Sequence, residues 1–171
     1  MSASNKLIFS LAQNLTADEQ NRACKNIGAI RGYTITPVSG SHQISQSEAS
    51  SGGMSFNAMF SGVGGIVLYD VGIEVPPSAN LGQNMYPVII TLDLTFEGGG
   101  TAALKVATGV LCRTSQNASW HLYVNFAYDF DIYAHPLTNV MIRVDWGEWV
   151  IPQSTEIVYT ISKTMFKVPN V

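Results

Sequence analysis

Two tryptophans flank a turn glycine in Trp146-Gly-Glu-Trp149, and this spacing is suited to holding a ligand. Sugar rings stack their apolar C–H faces on aromatic rings, while Asn, Asp and Glu side chains hydrogen-bond the hydroxyls. Trp149 is predicted to be exposed because it follows the turn, whereas Trp120 and Trp146 fall on apolar phases of strands and are predicted to be buried. The alternative is that these rings, with the neighbouring tyrosines, belong to the core or to a subunit interface. The predicted ligand-binding residues are Trp149, Glu148, Tyr133, Asp131 and Asn117.

A second group of polar residues, Asp129, Asp131 and His135, lies close together in sequence. Alternate residues of a strand face one side, so the two carboxylates can share a divalent cation. The alternative is a strand end whose acids are solvated. Because no further carboxylate or glycine-rich calcium loop accompanies them, we predict no metal and no cofactor.

Catalytic groups are sparse. Asp93 with Glu97, or Asp145 with Glu148, can in principle form a glycosidase pair, but solvated acids on a strand give the same pattern. The three histidines are not accompanied by a nucleophile elbow of the Gly-x-Ser-x-Gly kind. We therefore predict that the chain is not an enzyme.

The composition argues against a nucleic-acid-binding protein and against a membrane-inserted one. Charged residues are 12% of the chain, about half the usual quarter, and the formal net charge is −3. From Gly32 onward 10 acidic residues face 5 basic ones, so no basic patch is available for nucleic acid. No stretch is long and apolar enough for membrane insertion. Lys6 is followed by only a short apolar run, so we expect no signal peptide.

The cysteines, Cys24 and Cys112, are predicted to be two free, buried thiols; a disulfide between them is the alternative. The chain has no Cys/His pattern of the zinc-binding kind.

From Met54 onward, alternating apolar and polar residues predict an all-β domain. Turn residues separate the segments, and the two that flank Glu97–Thr101 are predicted to form a hairpin. Some seven to nine strands of this kind make an antiparallel β-sandwich or jelly roll. The predicted strands cover residues 54–60, 65–75, 86–96, 102–112, 120–128, 139–146 and 156–166.

The preceding Ser/Gly-rich run, residues 39–53, is predicted to be a long loop or hinge. Because the few charges cannot protect the edge strands of a sandwich, we expect the edges to be covered by oligomerisation.

Near the N-terminus, residues 16–27 are predicted to form one short polar helix. Thr16 is placed to cap it and Glu19 to complete a capping box, and Gly28 is placed to end it. A helix of about ten residues is marginal alone in water, so it needs partners. The residues predicted to build this trimerisation stem are Leu11, Leu15, Thr16, Glu19, Ala23, Ile27 and Gly28.

The pattern Leu15-Thr-x-x-Glu-Gln-x-x-Ala-x-x-Asn-Ile-Gly-Ala29 resembles a segment of bacteriophage tail fibres and other receptor-binding tail proteins. The resemblance covers residues 10–32 only. It implies a homotrimeric fibre tip in the virion tail, attached to other phage tail proteins, whose C-terminal head adheres to a host cell-surface saccharide or protein.

The resulting organisation is a stem at residues 1–32, a connector at 33–53 and a β head at 54–171. The first alternative function is a structural jelly-roll protein of a capsid, decoration or baseplate. The second is a small polysaccharide depolymerase, which needs a carboxylate pair in a cleft.

Overall fold

A computed structural model of the chain describes residues 31–59, 65–130 and 135–167, without the side chains of residues 31–36 and 167. Eight strands, one short α-helix (α1) and a single 3-10 turn at Pro77–Ala79 make up this part. The strands are β1 (Arg31–Gln43), β2 (Gly53–Asn57), β3 (Ile66–Val75), β4 (Met85–Phe96), β5 (Thr101–Cys112), β6 (Trp120–Asp129), β7 (Leu137–Asp145) and β8 (Glu156–Lys167), and α1 is Gln46–Ser51.

The strands follow one order, β1-β8-β3-β6-β5-β4-β7-β2, and the neighbouring strands from β8 to β2 in this order pair antiparallel. The link between β5 and β6 is a single pair, Cys112 with His121. The sheet therefore consists of two four-stranded halves, β1-β8-β3-β6 and β5-β4-β7-β2, which meet at this corner. The predicted all-β antiparallel fold and the β4–β5 hairpin are confirmed.

The two halves curl so that the far edge of one meets the other. The rings of Phe56 on β2 and Tyr159 on β8 lie 4.7 Å apart. Just beyond β2, Ala58 accepts a hydrogen bond from the Tyr69 hydroxyl (3.4 Å) and Met59 accepts one from Lys163 Nζ (2.8 Å). The space between the halves holds one continuous apolar core.

Alternation sets which side chains enter that core. On β3, Val67, Tyr69, Val71, Ile73 and Val75 are buried, and the residues between them are not. Each strand with one buried face shows this period of two. Trp120 and Trp146 are buried, as predicted from their phase.

The predicted loop or hinge at residues 39–53 is wrong. Strand β1 continues to Gln43, and α1 follows at once. Ser45 and Glu48 form a reciprocal capping box at the start of α1, and Gly52 ends it in the left-handed conformation (φ 76°). Serine is a good cap, so a Ser-rich run encodes the start of a helix here rather than a flexible linker.

The predicted stem, from Leu11 to Gly28, lies outside the described residues, and it stays a prediction. Within the described residues, no helix has the length and apolar character needed to cross a membrane.

Candidate functional site

Trp149 is exposed, as predicted, and is 59% accessible. Its backbone adopts φ +60°, and its N–H donates to the carbonyl of Ala49 on α1 at 2.7 Å. Glu148 beside it is also exposed. The connection between β7 and β8 therefore presents the tryptophan on the surface next to α1.

The other predicted ligand residues do not join Trp149 within the described part of the chain. Asn117 lies in the β5–β6 turn, which is held to the β3–β4 connection by a hydrogen bond from Arg113 Nε to Asn84 Oδ1 (2.8 Å). That turn is at the same end of the sheet as Trp149. Asp131 and Tyr133 lie outside the described residues, and the strand ends on either side of them, Asp129 and Leu137, are at the opposite end. Among the described members of the predicted set, Trp149, Glu148 and Asn117 lie at one end of the sheet, and the complete set stays a prediction.

A different surface brings aromatic and polar groups together: the solvent-facing side of β6, β3 and β8. Tyr123 is the most exposed of the large apolar side chains described, at 79%. It pairs in register with Gly72 on β3, and Gly72 pairs with Thr160 on β8. The centre of this row therefore has no side chain, and the backbone of β3 is open between Tyr123 and Thr160.

Tyr123 is held beside this opening. Its ring stacks on that of His121 with centroids 6.0 Å apart and 6° between planes. A Cβ added to Gly72 would lie 3.4 Å from Cε1 of the ring, so the tyrosine borders the gap that glycine leaves. Offset stacking of this kind favours one ring orientation.

Hydrogen-bonding groups form the next row. Asp70 pairs in register with Asn125 and Ser162, and the Ser162 hydroxyl donates to Asp70 Oδ2 at 3.1 Å. No hydrogen bond from another described residue engages the Asn125 or Tyr123 side chains. We call this cavity of about 310 Å³ the Tyr123 notch; its lining residues are Asp70, Val71, Gly72, Tyr123, Val124, Asn125, Thr160 and Ser162.

A larger opening, of about 740 Å³, adjoins the start of β8. We call it the loop cleft; it is lined by Pro76, Ser78, Ala79, Pro152, Gln153, Ser154, Thr155, Glu156 and Val158. Trp149, Glu148 and Asn117 line neither cavity.

Tyr123 is not among the predicted ligand-binding residues. The signal was present in the alternation of β6, where Tyr123 shares the polar phase with His121 and Asn125. A large aromatic residue on the solvent phase of a strand offers a flat face on which a ligand can stack. The neighbours from β3 and β8 need the strand register, which the sequence pattern does not supply.

The carboxylates considered for catalysis lie on the other half of the sheet. Asp93 and Asp145 both flank Arg143, with Oδ2 atoms 3.6 Å and 3.4 Å from its Nε. One guanidinium thus lies between the two carboxylates and offsets part of their charge. Among the described residues, no group of three or more His, Cys, Asp or Glu side chains is arranged to hold a metal.

Cys112 corrects a prediction, since its thiol is free and exposed rather than buried. It lies on the outward phase of β5 opposite Met85, which is 62% exposed. Cys24 lies outside the described residues.

Groups with shifted pKa values lie away from the notch. Burial raises the pKa of Tyr69 and lowers the pKa of Lys163, and both side chains face the core. The pKa of Glu48 is lowered: burial opposes ionisation, but hydrogen bonds from His42 and Ser45 outweigh it. These three groups serve packing and capping, and none of them lines the notch.

No protein-family model and no curated protein sequence matches the chain. Among solved structures it is similar to the CBM22-1 xylan-binding domain of Paenibacillus barcinonensis Xyn10C, with TM-score 0.44 and 9% identity over 84% of this chain and 85% of that one. It is also similar to the CBM22-1-GH10 modules of Clostridium thermocellum xylanase 10B, with TM-score 0.42 and 11% identity over 82% of this chain and 27% of that one.

A third similar structure is the infectious bursal disease virus VP2 subviral particle, with TM-score 0.42 and 13% identity over 82% of this chain and 33% of that one. The chain thus spans about a quarter and a third of the xylanase and VP2 chains. At these scores and identities, the likenesses assign neither a family nor a function.

Proposed function

We propose that this chain is a non-catalytic glycan-binding head, and that the Tyr123 notch is its binding site. The observation that carries the proposal is the 79% exposed Tyr123 beside the side-chain-free backbone of Gly72. A pyranose ring can lie in that gap with its C–H face against the tyrosine ring. Asp70, Asn125 and Ser162 then offer acceptors and donors to the hydroxyls.

The chemistry of the notch supports binding rather than hydrolysis. A glycosidase of the usual kind needs two carboxyl groups on either side of the scissile bond. The notch contains a single carboxylate, Asp70, and Ser162 already donates to it. Affinity in such a site comes from stacking and hydrogen bonds that leave the ligand intact.

The finer proposal is a receptor-binding head of a phage tail, made of three copies and adhering to a host cell-surface glycan. It is supported by the resemblance of residues 10–32 alone. Three weak sites on one assembly would gain avidity, because the first contact raises the effective concentration for the others. Light scattering tests the assembly: a mass near three times 18.5 kDa is expected, and a stable monomer contradicts it.

The binding function is tested by probing immobilised bacterial envelope glycans with the full chain while measuring released reducing sugar. We expect retention on a subset of glycans without release of sugar. Absence of retention on every glycan would contradict binding, and steady release at enzyme-like turnover would contradict the non-catalytic character and favour a depolymerase.

A further inference from the structure

We infer that the ligand of the Tyr123 notch is a linear, non-acidic oligosaccharide that runs along β8 from the notch to the loop cleft. This inference rests on the proposed function and adds the shape and charge of the ligand. Two independent features of the described surface carry it: the continuity of the two cavities along one strand, and the sign of the charges beside them.

The continuity follows from the outward phase of β8. Thr160 and Ser162 line the notch, whereas Glu156 and Val158 line the cleft. These four residues alternate along one face of a single strand, so the two cavities are adjacent openings on one track. Between Glu156 and Ser162 a strand advances about 20 Å. A track of that length is longer than one sugar ring and fits an extended chain.

The middle of the track carries one exposed apolar side chain, Val158, beside the carboxylate of Glu74. Val158 is 50% exposed and pairs with Glu74 on β3, one row beyond the pair of Gly72 with Thr160. An aliphatic side chain at this point offers a surface for the C–H face of a sugar without obstructing the path. The ligand can therefore continue from the notch into the cleft.

The charged side chains that the structure describes on this face have one sign. Beside the two cavities, on the outward phases of β3 and β8, the described acidic residues are Asp70, Glu74 and Glu156. No described lysine or arginine side chain shares these phases, since Lys163 points inward and is only 5% exposed. Uronic acids, sulfated sugars and sialic acids would meet like charges there, which costs affinity. Neutral sugars and amino sugars would not.

The experiment is affinity gel electrophoresis of the full chain through soluble polysaccharides: a neutral β-glucan, a galactomannan and a xylan, against alginate and polygalacturonate. We expect at least one neutral polymer to retard the wild-type chain and both acidic polymers to leave it unretarded. Glu74→Gln combined with Glu156→Gln should gain retardation by the acidic polymers. The matched control Glu97→Gln, in the β4–β5 turn of the other half, should not.

Oligomers of the retarding polymer then test the length of the site by calorimetry. Affinity should increase by about tenfold or more from the shortest binding oligomer to one that spans the track. Val158→Arg should remove this gain and keep the affinity for the shortest oligomer, while Val158→Thr should keep both. Thermal unfolding of each variant verifies its fold.

The outcomes separate the two claims. If no polymer retards the wild-type chain, the proposed function fails. If acidic polymers retard it and Tyr123→Ala abolishes this, the binding site stands and the present inference is overturned. It is also overturned if affinity stays constant with oligomer length, or if Val158→Arg leaves the gain intact.

Discussion

Tyr123 lies directly across from Gly72 in the register of β6 and β3, and its ring fills the edge of the space that a side chain at 72 would occupy. The two residues are far apart in sequence, and the missing side chain of Gly72 leaves the space beside which the Tyr123 ring lies. The glycine opens the sheet surface, and the tyrosine stands beside the opening with 79% of its surface exposed.

Gly72→Val should close the notch without harming the fold. A Cβ at this position meets Tyr123 Cε1 at 3.4 Å and the Thr160 carbonyl oxygen at 3.8 Å, and the exposed Tyr123 ring has room to turn away from the two methyl groups that valine adds. Valine also suits a strand better than glycine. We expect thermal stability equal to or above the wild type and glycan affinity reduced by about tenfold. Unchanged affinity in a folded variant would show that the ligand does not enter the gap.

Gly109→Ala, in contrast to Gly72→Val, should destabilise the fold. On β5, a Cβ at 109 would lie 2.5 Å from Val124 Cγ2 and 2.8 Å from Leu122 Cδ1. Because both side chains belong to the core face of β6, and valine is stiff, the substitution overpacks the core. We expect a loss of about 1–2 kcal/mol in the free energy of unfolding by urea titration. Stability equal to that of Gly72→Ala, the matched control, would contradict this account.

Glu48→Gln tests the negative charge in the first turn of α1. His42 Nε2 lies 2.9 Å and 3.0 Å from the two carboxylate oxygens of Glu48, and the Ser45 N–H donates to the same group at 2.9 Å. Because the glutamine amide oxygen can still accept from the Ser45 N–H, the substitution removes the charge and should cost about 0.3–1 kcal/mol at neutral pH.

The pH dependence of that cost follows from the pKa of Glu48, which is lowered from 4.5. A carboxylate with a lowered pKa stabilises the fold above its unfolded pKa, and this stabilisation is lost as the pH falls through the folded value. Unfolding curves of wild type and Glu48→Gln should therefore converge on the acid side of 4.5. A constant difference across that window would mean that the charge is irrelevant.

Lys163→Met tests a buried cation. Lys163 is 5% exposed and donates to the Met59 carbonyl at 2.8 Å, and burial lowers its pKa from 10.5. Below 10.5 the unfolded chain binds more protons than the folded one, so wild-type stability should rise with pH between the folded pKa and 10.5. In Lys163→Met this rise should be absent. Parallel curves of unfolding free energy against alkaline pH would contradict the assignment.

Seven strands were predictable because each has one buried face, and the alternation of β3 through β8 shows it directly in the sequence. The bounds of β6, predicted as residues 120–128 and found as Trp120–Asp129, illustrate this. Strand β1 was not predicted because it contains Pro37 and Gly40, and both residue types are uncommon inside strands. Its position at the edge of the sheet tolerates them. Helix α1 was not predicted because six residues are too few to show a helical period, although the sequence contains its capping box.

The binding surface was predictable only in part. The exposure of Trp149 was predicted from the turn that precedes it, and the burial of Trp120 from its position on the apolar phase of a strand. The notch depends on three strands that meet through long-range pairing, Gly72 with Tyr123 on one side and with Thr160 on the other. Local patterns specify the phase of a side chain, but the register that brings distant strands together is set by the whole fold.

The central claim is that glycan binds beside Tyr123 rather than at Trp149, and a pair of alanine variants tests it most directly. Both rings are exposed, at 79% and 59%, so each substitution should change stability by no more than about 0.5 kcal/mol. Affinity for a retained glycan should fall by about tenfold or more in Tyr123→Ala and stay at the wild-type value in Trp149→Ala. Loss of affinity in Trp149→Ala with full affinity in Tyr123→Ala would contradict the account.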